Sequence, residues 1–405
     1  MTKSEIKLYY TIPDHFPSYR VDVTELFGVS LAKRGVQTEW FMANNGPDLL
    51  PHREGFFQQT CMLPPKFPGH GVLSKVLTKL AYWVTDSLLM VRAALRQFDI
   101  LQTRDKYIAA VVALLAAKLA GKRFVHWCSY PFPEHVLEVA NERSGLLRLL
   151  LILNGKCAHF VLYRVVMRFA DHSFVQSEQM LRDVAAYGVP AERMTPVPMG
   201  VPTRLLDWSS THPSAVVPGR IVYLGAMSTV RRLHVMLDAF ALVYKRCPAA
   251  TFLMVGEGVK PQDRIALEQQ AARLGLADVV EFSGFVPIET AWSLAASAAV
   301  CVSPVYPTRI FNCASPTKLY EYMALGRPVV CNAHPEQSAV IDESGAGLCV
   351  NWDVQAFADA MVWMLEHPEL AEAMGEKGSA WVAANRTYDM LAAQVHARYL
   401  AILGR

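Results

Sequence analysis

Several stretches of the chain set cations or carboxylates where work on a phosphate or a sugar could be done. The segment ASPTKLYEYMALGRPVVCN, residues 314–332, opens with helix-start signals: Ser315 can cap, Pro316 suits the first helical position and Thr317 follows. It closes with Gly326 and Pro328, which break the helix before the apolar run Val329, Val330, Cys331. Lys318 falls in the first turn, beside the positive pole of the helix, where a cation is disfavoured unless an anion is shared there. Glu321 shares a face with Thr317 and Lys318, so it either pairs with the lysine in solvent or accepts the two hydroxyls of a ribose. In YLGAMSTVRRLHVMLDAF, Gly225 ends a strand and Arg231 and Arg232 stand at the start of a helix. An arginine there can hold a diphosphate by paired hydrogen bonds; the plainer alternative is a solvated basic helix end. The run VGEG, residues 255–258, either lets the backbone at Gly256 and Gly258 approach a ligand, with Glu257 between them, or is an ordinary turn. The third glycine of a dinucleotide fingerprint would fall on Pro261, so no NAD site is expected. Two cation-plus-helix-start sites in one half of the chain point to a phosphate ligand.

The first half carries a different set. PSYRVDVTEL puts Ser18 and Arg20 in the loop after the first strand, DILQTRD ends in Arg104 and Asp105, and FVHWCSYPFPE carries His126 and Glu134 at or beyond another strand end. Ser18, Arg20, Arg104 and Glu134 are placed for acceptor contacts, and Asp105 or His126 for a base. A histidine within a strand is also a common core residue.

The elements that must position these groups follow a regular rhythm. Short apolar runs (IKLYYTI, VQTEWFMA, DILQTRD, KRFVHWCSY) alternate with helical patterns, and a second series runs from RIVYLG through TFLMVG, VVEFSG, AAVCVSP, PVVCN and AGLCV. That alternation marks βαβ units and parallel sheets. The expected architecture is α/β, with two doubly wound Rossmann-like domains facing across a cleft and ligands in the loops after the strands. Residues 1–199 form the first domain, 200–219 a Pro/Ser/Thr-rich linker and 220–387 the second. The helical stretch 388–405 is expected to cross back to the first domain.

With 405 residues, 52% hydrophobic and 19% charged, the chain has room for two cores and is not disordered. A net charge of +3 gives no reason to expect nucleic acid. The eight cysteines stand singly, several of them (Cys301, Cys331, Cys349) inside expected strands, which suits a reducing cytoplasm. There is no P-loop, HExxH, GxSxG elbow, paired-cysteine zinc pattern or DxD carboxylate pair, so neither a metal nor a cofactor is expected. No signal peptide precedes the first strand. The apolar runs VVALLAAKLA and LLRLLLIL are broken by charges short of the ~20 residues that span a bilayer. Residues 141–170 hold five basic residues against one acidic among Leu, Phe and Val, and 66–96 is a similar mix. Such segments either lie on an anionic membrane surface or form buried helices with one solvated face. The expected location is the cytoplasm, with peripheral contact at the inner face of the cell membrane.

The second half resembles the donor-binding domain of family 4 glycosyltransferases of the GT-B fold: YLGAMSTVRRL, VGEG, VVEFSGFVP, SPTKLYEYMALGRPVV and HPEQSAVIDESGAGLCV follow the family's order and spacing. The first half agrees more loosely, through PSYRVDVTELFGVSLAKRG, LQTRDKYIA, ADHSFVQSEQM and VPMGV. The resemblance implies retaining, metal-independent transfer of a sugar from a nucleotide diphosphate sugar, bound by the second domain, to a glycan or lipid-linked glycan bound by the first. Arg231 and Lys318 would hold the diphosphate and Glu321 the ribose, with Gly225, Gly256, Glu257, Ser315 and Thr317 in the same site. The implied role is assembly of a surface polysaccharide or glycolipid. Two positions depart from the family pattern: Cys313 stands where many members carry a glutamate that contacts the donor sugar, and Ala226 where an arginine is frequent. The histidine some members place after a first-domain strand would fall near Cys128 rather than His126. A sugar-nucleotide epimerase or hydrolase of the same fold is the alternative, as is a silent nucleotide-sugar-binding subunit, which Cys313 suggests.

Overall fold

The computed structural model describes residues 5–46, 48–69, 71–212 and 214–405. It divides into two units, Met1–Pro198 with Tyr388–Arg405, and Met199–Thr387.

The sheet of the first unit runs β3-β4-β2-β1-β5-β6-β7-β8. The strands are β1 (Ile6–His15), β2 (Val36–Ala43), β3 (His52–Phe56), β4 (Gln59–Leu63), β5 (Ile100–Arg104), β6 (Arg123–Cys128), β7 (His172–Val175) and β8 (Met194–Pro196). All pair in parallel except the β3–β4 hairpin. The central strands have no polar face: every residue of β5 is buried, as in a sheet covered by helices on both sides. On one side Tyr10, Phe27, Trp40, Phe56, Trp127 and Phe174 form a run of edge-on and tilted rings in a single core. The last helix, Tyr388–Leu403, closes this core against the helix Asp22–Leu31. Tyr399 reaches through it to donate to Gln102 Oε1 at 2.5 Å.

The second unit is parallel throughout: β9 (Arg220–Leu224), β10 (Thr251–Val255), β11 (Val280–Gly284), β12 (Val300–Ser303), β13 (Val329–Asn332) and β14 (Gly347–Val350). Its order, β11-β10-β9-β12-β13-β14, is the doubly wound pattern whose direction reverses between the first and fourth strands. The switch point therefore lies between the ends of β9 and β12, where ligands of such sheets bind.

Three expectations are corrected here. The 200–219 stretch is not an extended linker: Thr203–Thr211 is a helix whose Leu205 is buried in the core of the second unit, and Val201 bridges to Thr387. Pro, Ser and Thr mask the short apolar face of Leu205, Leu206 and Trp208. Pro213 of that stretch and Met1–Ser4 lie outside the described residues. The apolar run after residue 145 is not broken by its charges. Gly145–Phe169 is one continuous helix, long and apolar enough by composition to cross a membrane.

His126, expected at a strand end, lies inside β6 with its ring fully buried and Nδ1 2.9 Å from Thr103 Oγ1, while Nε2 has no partner among the described residues. Burial pushes its pKa down to about 3, and that of His172 to about 4 with help from the Arg398 charge. It is a core residue and no base. Because both rings are neutral when folded and take up protons when unfolded, their stabilisation is present above about pH 6.5 and is lost as the pH falls below it. We expect the melting temperature of the first unit to fall between pH 6.5 and 4, and His126→Met to flatten that slope without lowering stability at pH 7. Thermal scans across this range check it; an unchanged slope overturns the assignment.

Candidate functional site

In the second unit the backbone at the end of β9 is shaped for close approach. Gly225 and Gly256 both adopt positive φ, 142° and 133°. A Cβ on Gly256 would lie 2.3 Å from Gly225 O, so the two turns pack backbone to backbone. A Cβ on Gly225 would come 3.4 Å from Lys318 Nζ.

Lys318 enters from the helix Thr317–Ala324, in its first turn, and is buried. Its Nζ donates to Tyr223 Oη at 3.0 Å and lies 4.2 Å from the centre of that ring. Burial, and then the Arg231 charge, push the ammonium well below the ordinary lysine range, while Glu321 pulls the other way. Burial holds the Glu321 carboxyl up at about 7, against the attraction of Lys318. Tyr223 is itself pushed up to about 12 by burial, opposed by the charge of Arg231 and its hydrogen bond. The site thus gathers two cations around one hydroxyl with a single carboxylate beside them, an arrangement that favours an added anion.

Arg231 does not begin a helix as expected. It closes the short turn Thr229–Arg231; Arg232 is left-handed at φ 50° and stacks over Tyr306, and the long helix starts only at His234. Ser315 is not the cap either. Pro316 occupies that position without a side-chain bond, and Ser315 Oγ instead accepts from Met199 N at 2.8 Å and donates to Glu336. Thr317 is the first residue of the helix, next to Lys318. Glu257 sits at the turn, but its carboxylate binds Gly258 N at 2.9 Å and Arg264 Nη1 at 3.2 Å. Cys313 is buried. Gly225, Gly256, Arg231, Lys318 and Glu321 are therefore brought together, while Ser315 and Glu257 are engaged elsewhere. Tyr223 was missed by sequence reasoning; its one signal is a polar aromatic in an otherwise apolar strand.

In the first unit the residues after β1, β5 and β6 form one network around Ser129. Arg104 Nε donates to Ser129 Oγ at 3.1 Å, and Asp105, left-handed at φ 50°, accepts from Ser129 N at 2.7 Å, from Ser129 Oγ, and from Tyr130 N at 3.2 Å. Asp105 thereby braces the β6 loop instead of standing free as a base. Arg104 is wholly buried and paired with Asp22 at 2.6 Å, so it holds the fold and cannot offer its charge to an acceptor. Ser18 Oγ donates to Asp14 at 2.7 Å and accepts from Arg20 N. Arg20, half-exposed and held loosely by Asp22 and Ser129 Oγ, each at 3.5 Å, is an acceptor candidate still open to a ligand. Glu134 lies apart, buried, accepting from Tyr163 Oη at 2.9 Å.

Over 98% of its length the chain superposes on Anabaena HepE in complex with UDP (100% of that chain, TM-score 0.69, 17% identity). It superposes equally far on the sucrose-phosphate synthase of Thermosynechococcus elongatus (99% of that chain, TM-score 0.73, 19% identity). The fold is GT-B: two parallel-sheet α/β domains. Residues 23–205 match the model of Glycosyltransferase Family 4 and residues 218–367 that of Glycosyl transferases group 1. Through both domains the chain belongs to the glycosyltransferases. It is 30% identical to the D-rhamnosyltransferase WbpZ of Pseudomonas aeruginosa over 165 residues, 40% of each chain. With the D-inositol 3-phosphate glycosyltransferase of Streptomyces griseus it shares 31% over 176 residues, 41% of this chain and 35% of that one. Each of these two matches spans less than half of the relative.

Proposed function

We propose that the chain transfers a sugar from a nucleotide diphosphate sugar to a glycan or lipid-linked glycan, with retention and without a metal, in the assembly of a surface polysaccharide or glycolipid. The observation that carries the donor half is the pair of cations, Lys318 and Arg231, meeting at Tyr223 beside the β9–β12 switch point. As the bond between the sugar and the diphosphate breaks, negative charge grows on the leaving group. Lys318, Arg231 and the N-terminus of Thr317–Ala324 stabilise that charge. Glu321, one turn further on, accepts the ribose hydroxyls. That HepE, which shares the fold, was solved in complex with UDP supports a nucleotide diphosphate as the class of ligand. Retention and independence of metal follow from the family resemblance.

The acceptor half rests on surface composition in the first unit. Val72–Ala94 exposes Val72, Leu73, Leu80, Val84 and Leu88 with Lys75, Lys79 and Arg92 around them; Gly145–Phe169 exposes Leu146, Leu149, Leu153 and Phe160 with Arg148 and Lys156. Apolar side chains set among cations suit an anionic membrane surface, where a lipid-linked acceptor resides. The test of the donor reading is calorimetry of the full chain against UDP, GDP and their sugars in chelator. One of them should bind at micromolar concentration, and enzyme with that donor and a membrane extract should release the free nucleotide diphosphate. Binding of none overturns the reading, whereas binding without turnover leaves only a nucleotide-sugar-binding subunit.

A further inference from the structure

The first unit holds a groove of about 770 Å³ that the Ser129 network does not use. It lies between the ends of β1 and β2, the segment 64–69 after β4, and one face of the helix Val72–Ala94. Its walls are mainly apolar, with Tyr82 and Trp83 on the helix side, and Asn44, Asn45, Ser74 and Thr78 add uncharged polar groups. Three lysines, Lys66, Lys75 and Lys79, and His15 reach it, and no carboxylate lines it among the described residues. A second compartment of about 360 Å³ shares Lys79, Tyr82 and Trp83 with the first and continues to Asp105. The two cavities therefore run from the exposed helix toward the end of β5.

The lysines of the two compartments differ in kind. Lys106, on the floor of the smaller one, is already neutralised: its Nζ donates to Asp86 Oδ2 at 2.8 Å and to Thr11, under the rings of Tyr82 and Phe41. Among the described residues Lys66 Nζ donates to a backbone carbonyl, that of Asn45 at 2.7 Å, and Lys79 lies 5.2 Å from the Trp83 ring. Lys75 and Lys79 are exposed, and neither has a carboxylate partner among the described residues. Uncompensated ammonium groups at the mouth of an apolar groove call for an anion joined to something apolar. The outer face of the same helix is Val72, Leu73, Val76, Leu77, Leu80 and Val84, all exposed, so a hydrocarbon chain leaving the groove past Trp83 would stay on apolar surface.

We propose that this groove is the headgroup site of the acceptor's carrier: a phosphate ester of a long-chain lipid, its phosphate held by Lys66, Lys75 and Lys79 and its chain passing over Tyr82 and Trp83. The continuation of the cavity to Asp105 directs what the phosphate carries toward Arg20 and the Ser129 network. Calling this lipid the acceptor rests on the glycosyl-transfer reading; the binding site itself does not.

The probe is farnesyl phosphate, titrated calorimetrically into the full chain, with farnesol and inorganic phosphate as its separate halves. Farnesyl phosphate should bind at micromolar concentration and each half at least ~10-fold more weakly, because charge and chain act together. Lys75→Glu/Lys79→Glu should weaken it by ~10-fold or more, and the milder Lys75→Gln/Lys79→Gln by an intermediate factor, at unchanged melting temperature and unchanged affinity for the nucleotide diphosphate. Equal binding of inorganic phosphate would make this a free-anion site, and equal binding of farnesol or silent charge reversal a merely apolar one; each overturns the proposal. Flotation with phosphatidylcholine vesicles carrying farnesyl phosphate should exceed that with phosphatidylglycerol at equal charge, and equal flotation also overturns it. If farnesyl phosphate binds but no nucleotide diphosphate does, the donor reading fails and the groove stands; the reverse result removes the groove alone.

Discussion

Replacing Lys318 by Met should weaken the bound nucleotide diphosphate by roughly 10- to 150-fold, the ~1.5–3 kcal/mol carried by a hydrogen bond to a charged group. Arg231→Gln should cost a similar factor. Lys318 is kept in a pocket where burial and the neighbouring arginine both disfavour its charge. The negative charge of a diphosphate opposes both effects, offsetting the lost hydration of the ammonium and screening it from Arg231. Two further readouts separate this from a structural role. Arg231→Gln should leave the melting temperature of the ligand-free protein unchanged or slightly raised, since it removes the repulsion on Lys318. At a pH near the lowered pKa of Lys318, binding should also draw in a proton, because the anion favours the ammonium. Affinity then falls as the pH rises toward the ordinary lysine range, and Lys318→Met loses that dependence. Calorimetry in buffers of different ionisation enthalpy measures the uptake directly. Silent substitutions, or no proton uptake in the wild type, would leave Lys318 a core lysine and remove the donor site.

The second large effect lies in the first unit. Asp22→Ala should destabilise it by about 3–5 kcal/mol, because it leaves Arg104 charged and buried with its close partner gone and only the longer contact to Asp105, 3.5 Å, in its place. Burial alone would raise the Asp22 carboxyl; the Arg104 guanidinium, with Arg20 behind it, outweighs this and holds it below the ordinary range. A carboxylate so shifted contributes stability above its unfolded pKa and loses it as the pH falls through the folded one, so the pair also adds to acid unfolding. Asp22→Leu/Arg104→Leu should recover most of the loss, since two apolar side chains carry no desolvation cost. Denaturant titration of the three proteins checks the order. If Asp22→Ala is as stable as wild type, Arg104 is free to turn toward a ligand and its place among the acceptor residues is restored.

Much of the fold was legible because the signals are local. The βαβ rhythm, the helix start at Pro316 and Thr317 and its stop at Gly326 depend on neighbours within a few residues. The first-turn Lys318 was visible for the same reason: its conflict with the helix pole can be read from sequence without a structure. By itself, then, the chain determined its class, two parallel-sheet units, and a helix start with a lysine set beside its positive pole. Only the tertiary structure decided which side chains remained free to act. It turned His126 into the core, sealed Arg104 against Asp22, tied Ser315 to Met199 and Glu336, and set Tyr223 beneath Lys318. It also chose the helix Asp22–Leu31 as the element on which Tyr388–Leu403, expected to cross back, comes to pack. The physical reason is that a polar side chain's role depends on what it is buried against. In a parallel sheet those partners lie on other strands and helices, whose register no local pattern records.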